Sequence, residues 1–71
     1  MRSDKKKSFE IRIIREYTDL KRKCERLEKF IGGDTYKSLS IAEQAILTRQ
    51  LSYMQGYLIS LEDRLEYRGL I

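Results

Sequence analysis

Arg49, Tyr53 and Tyr57 are the residues whose types and spacing best suit ligand chemistry. They stand at i, i+4 and i+8, which places them along one side of a helix. A guanidinium followed by two phenol rings can cradle a nucleotide, with phosphate on the arginine and a base stacked on a ring. Tyr36 and Lys37 stand in the stretch before that helix and can close one end of such a site. These five residues are the candidate ligand-binding set. The competing reading is that the tyrosines pack in an oligomer interface with their hydroxyls at its rim. The two readings agree if the ligand sits between copies of the chain.

Other chemistry is sparse. The sequence has no histidine and one cysteine, and no glycine-rich phosphate loop. Cys24 falls on an apolar stripe and reads as a small buried hydrophobe rather than a nucleophile. Glu62, Asp63 and Glu66 bring carboxylates together at helical spacing, the kind of cluster that binds metal in helical bundles. Beside Arg64 and Arg68, and without histidine, they read as a solvated face. No catalytic residue, metal or cofactor is therefore expected, and the chain is not expected to be an enzyme. Arg15, Arg22, Arg26 and Lys29 recur at intervals of 7, 4 and 3, so they line one side of the first half. Non-specific nucleic-acid binding is one reading of that flank, and a solvated helix face is the other. No recognition motif accompanies it, and acidic residues interrupt it.

With 71 residues, the chain is one small domain with a thin core. Such chains usually need staples or oligomerisation. One cysteine leaves no disulfide within a single chain, and lone thiols suit a reducing cytosol. The sequence contains no proline, four glycines and 37% charged residues, the composition of long helices. Charge is uneven: residues 1–37 carry 12 Lys/Arg against 7 Asp/Glu, and residues 38–71 carry 3 against 4. The basic first half can attract a phosphate-bearing partner. The N-terminus lacks the apolar run of a signal peptide, and no stretch approaches the roughly 18–20 apolar residues of a membrane span. No membrane partner is expected.

Two elements must position these groups. Leu47, Leu51, Met54, Leu58, Leu61 and Leu65 are spaced 4, 3, 4, 3 and 4 apart. That is an a/d stripe on a helix over 40–68. Ser40-Ile41-Ala42-Glu43 has the form of a capping box at its start. Phe9, Ile13, Tyr17, Leu20, Cys24, Leu27 and Ile31 repeat at 4, 4, 3, 4, 3 and 4, which predicts a helix over 8–31 with Ser8 as its cap. Residues 1–7 read as a flexible basic arm, and 8–71 as a single domain. Gly32-Gly33 reads as a stop, with a glycine in the left-handed conformation. Residues 34–39 read as a connector, one helical turn capped by Asp34 or an ordered loop. Gly56 interrupts the second helix, and close packing against a neighbouring helix would account for it. The fold expected is all-α, an antiparallel two-helix hairpin. Ile46, Tyr53 and Tyr57 form a second strip that one partner helix cannot cover, so a helical-bundle homo-oligomer is expected.

The stretch Leu27-Glu28-Lys29-Phe30-Ile31, then Tyr36-Lys37-Ser38-Leu39-Ser40, Glu43-Gln44, Leu47, Gln50-Leu51, Met54, Tyr57, Leu61 and Arg64 resembles a family of very short bacteriophage proteins. The resemblance covers about residues 9 to 65 and includes polar positions that a heptad alone would not specify. In size and architecture the chain is also similar to phage helical-hairpin sponges. Those proteins sequester cyclic nucleotide signals of CBASS or Thoeris defence without cleaving them. The resemblance implies an anti-defence binding protein acting in the host cell cytoplasm, with a cyclic nucleotide as ligand. No binding residue is carried over from the sponges. Inhibition of a host protein through the second helix's surface is the alternative from another class.

Overall fold

The computed structural model describes residues 2–71, with side chains from Ser8 onward. It is all-α, with no strand among the described residues. Helix α1 spans Arg2–Ile31, a short α2 spans Asp34–Lys37, and α3 spans Ile41–Tyr67.

The first helix starts earlier than its apolar pattern. Arginine and lysine are good helix formers, and no proline or glycine precedes Gly32. Helix α1 therefore extends beyond the apolar stripe, and Ser8 lies inside it rather than capping it. Of the flexible arm expected at residues 1–7, Arg2 to Lys7 form the start of α1, while Met1 and the side chains before Ser8 lie outside the described residues.

The ends of the helices close differently from one another. At Ile31 the chain leaves the helix through bonds from Gly32 N–H to Glu28 O (3.1 Å) and from Gly33 N–H to Phe30 O (3.0 Å). Neither glycine is left-handed, because Gly69 is the one residue with positive φ among those described. Gly33 is extended (φ −99°, ψ 174°) and stands at the N-cap of α2, so Asp34 is the first helical residue and not the cap. Helix α3 starts as its sequence indicates: Ser40 Oγ accepts from the Glu43 N–H at 3.2 Å. It ends at Gly69, φ +70°. There Gly69 N–H reaches Glu66 O (2.9 Å) and Leu70 N–H reaches Leu65 O (2.8 Å). That pair of bonds is a Schellman closure, and glycine carries its left-handed residue without steric cost.

Helices α1 and α3 lie side by side and run antiparallel. Glu10 pairs with Arg68 at 3.9 Å, the Tyr17 hydroxyl donates to Glu62 at 3.4 Å, and Gln55 Nε2 donates to Glu28 at 3.1 Å. Residue numbers rise on one helix as they fall on the other. The pair is a rod of 53 × 16 × 16 Å. Ile13, Cys24, Leu61 and Leu65 are fully buried between the helices. Of the remaining stripe residues, Tyr17, Leu20, Leu27, Ile31, Leu47, Leu51, Met54 and Leu58 are only half-buried, and Phe9 is exposed. Burying one large aliphatic side chain contributes about 1.5–3 kcal/mol. So few of them make a thin core for a chain of this length.

Candidate functional site

Helix α3 turns two sides outward from its leucine stripe. Counting about 100° per residue from Arg49, Tyr53 lies roughly 40° round the helix and Tyr57 roughly 80°. The leucine stripe lies about 160° away, on the side that meets α1. Arg49 is exposed, Tyr53 is 72% exposed and Tyr57 48%. The structure therefore brings these three residues together on a bare outer face. Ile46, 53% exposed, belongs to the same face.

Tyr36 and Lys37 are placed elsewhere. The Tyr36 hydroxyl bonds to Thr48 Oγ1 at 3.0 Å and to Gln44 O at 3.3 Å. Thr48 and Gln44 lie on the flank of α3 away from Tyr57, so Tyr36 packs there and its hydroxyl is already partnered. Lys37 is solvated, 4.0 Å from Asp34. Gln44 completes this corner. Its Nε2 donates to the carbonyls of Tyr36 (2.8 Å), Leu39 (3.3 Å) and Lys37 (3.5 Å). One carboxamide thus ties the connector to the first turn of α3.

In a single chain the Arg49–Tyr53–Tyr57 face is a ridge, and small ligands prefer concave sites. Two concavities lie away from it. One, of about 320 Å³, opens between the start of α1 and the end of α3 and is lined by Phe9, Asp63, Arg64, Tyr67 and Arg68. The Arg68 guanidinium lies 4.7 Å from the Phe9 ring centroid and Arg64 5.8 Å from it. Sequence reading placed Phe9 on the α1 stripe and Arg68 beside the acidic cluster but did not pair them, because the contact joins residues 59 positions apart. The other, of about 370 Å³, is lined by Arg22, Glu25, Arg26 and Lys29 on α1. It includes three members of the basic flank.

The groups set aside in the sequence have ordinary surroundings. Burial, then the nearby Glu28 and Glu25 carboxylates, push the Cys24 thiol up from its usual range. A neutral, buried thiol is a poor nucleophile. Glu62 accepts from Tyr17. Among the described residues no group of three His, Cys, Asp or Glu could hold a metal ion, and no helix is long and apolar enough to cross a membrane.

The fold is an antiparallel pair of long helices with a thin core and a bare polar-aromatic face on α3. The chain belongs to the Sequestin family, whose model matches residues 7–67. The match takes in nearly all of α1, the connector and the whole of α3. The family's name denotes sequestration. No curated protein and no solved structure matches the chain.

Proposed function

We propose that this chain is a phage anti-defence protein that sequesters a cyclic nucleotide signal of host immunity without cleaving it. It acts in the host cell cytoplasm as a homo-oligomer of helical hairpins. The observation that carries this reading is the Arg49–Tyr53–Tyr57 face, left uncovered by the chain's own fold in a family named for sequestration. Arg49 supplies charge-assisted hydrogen bonds to phosphate, and the phenol rings supply stacking faces for the bases. Binding alone, with no bond broken, fits a face that offers a cation and two neutral rings. Tyr36 and Lys37 do not belong to this face: Tyr36 packs on the opposite flank of α3 and Lys37 is solvated beside Asp34.

The test is calorimetric titration of the folded oligomer with a panel of cyclic di- and trinucleotides and cyclic ADP-ribose isomers. Saturable heat is expected from one member or class. No heat from any of them, with the oligomer intact, overturns the reading. A second reading draws on the same helix, where Ile41 is 86% exposed and Ile59 57%. Such residues suit contact with a host protein. Capture of a stoichiometric host protein in moderate salt would favour it.

A further inference from the structure

Gly56 stands near the middle of α3, where glycine costs helix stability relative to alanine. A Cβ built there would meet nothing within 4 Å. The glycine therefore serves no contact inside the chain, and the close approach expected of it is not made to α1. Ser52 and Ser60 lie one turn before and after it, and both are exposed. Small residues at this spacing permit close helix approach, but the charges beside them say what approaches. Arg49 lies one heptad before Gly56 and Asp63 one heptad after. Each falls within about 20° of the line through Gly56.

We propose that a second copy of this chain docks on α3 antiparallel, crossing at Gly56, so that Arg49 of each copy faces Asp63 of the other. In this register residue i meets residue 112 − i. Both ion pairs form at once, and Ser52 lies opposite Ser60. A parallel pair would instead set arginine against arginine and aspartate against aspartate, which is unfavourable. Charge complementarity thus selects both the occupant and its direction. The flanks are apolar: Tyr53 and Tyr57 on one side, Ile59 on the other.

The pairing has a consequence for ligand binding, which rests on the function proposed above. A two-fold antiparallel pair presents the same flank of both helices on the same side. Tyr53 and Tyr57 lie about 60° and 100° round from Gly56, at heights of roughly 4.5 and 1.5 Å from the crossing. Four phenol rings, two from each copy, therefore gather along one rim. A ridge in one chain becomes part of a two-sided groove, and the site is incomplete without the second copy.

The test uses the full chain. In a Cys24→Ala background, Arg49→Cys and Asp63→Cys variants are treated with a short bis-maleimide, each alone and then mixed. The mixture is expected to give cross-linked dimer, and each variant alone is not, because like positions stand about 21 Å apart. Should Cys24→Ala fail to fold, the natural background serves in analytical ultracentrifugation. There Arg49→Asp alone and Asp63→Arg alone are expected to weaken self-association roughly tenfold, and the double exchange to restore it. Cross-linking of each variant with itself, or a chain that stays monomeric throughout, overturns the pairing. Nucleotide titration separates the two proposals. Ligand binding by a monomer removes the pairing and leaves the function. A dimer in this register that binds no nucleotide does the reverse.

Discussion

Gln44 shows how much a single polar side chain does in so small a fold. Its carboxamide holds three carbonyls of the connector, and the Tyr36 hydroxyl returns a bond to the Gln44 carbonyl. Gln44→Ala removes those bonds and leaves the connector carbonyls to water. It is expected to lower stability by about 1–2 kcal/mol, read as a fall in the urea midpoint at unchanged slope. A midpoint equal to that of the natural chain would mean that the corner holds without it. Tyr36 was legible in the sequence as an aromatic beside a basic residue, which suggested a ligand. A packing role at the open end of the hairpin was legible too, but the bonds of Tyr36 to Thr48 and Gln44 on α3 were not, because they depend on how the connector folds back. Gly56 is the opposite case. Its spacing was visible, but only the empty space around it shows that no contact inside the chain uses it.

The helices carry most of what patterning can specify. The a/d spacing of Leu47 to Leu65 located α3, and the capping box at Ser40 located its start, because both are local signals. The far end was less legible. Gly32-Gly33 looked like a left-handed stop, yet the left-handed glycine is Gly69. The physical difference is that Gly33 continues extended into another helical turn, whereas Gly69 closes α3 by a Schellman pair. The same limit hid the start of α1, since helix propensity continued past the end of its apolar stripe. These ends can be ranked by substitution. Gly69→Ala forces a Cβ into the left-handed region and is expected to cost about 1–2 kcal/mol. Gly33→Ala, at an extended position, is expected to change thermal stability far less. Equal losses at the two glycines, measured by circular dichroism melts, would contradict the assignment of the stop.

At the scale of the molecule, the thin core and the bare outer face of α3 belong together. The four buried side chains among the described residues leave most apolar stripe residues half-wet, and Tyr53, Tyr57, Ile46 and Ile59 are uncovered. In the proposed pairing a second copy covers part of that face, and the remaining aromatic rim is where a nucleotide would rest. The all-α architecture and the leucine stripes were open to sequence reading because they repeat. The ligand was not, because a cation and two rings at helical spacing serve several anionic aromatic molecules equally well. The most direct measurement of sequestration is the fate of the ligand. Protein purified from cells that make the immune signal is heated, and the released small molecules are examined by mass spectrometry. The expected result is an intact cyclic nucleotide in fixed proportion to protein. Release of nothing, or only of a linear hydrolysis product, would contradict sequestration without cleavage.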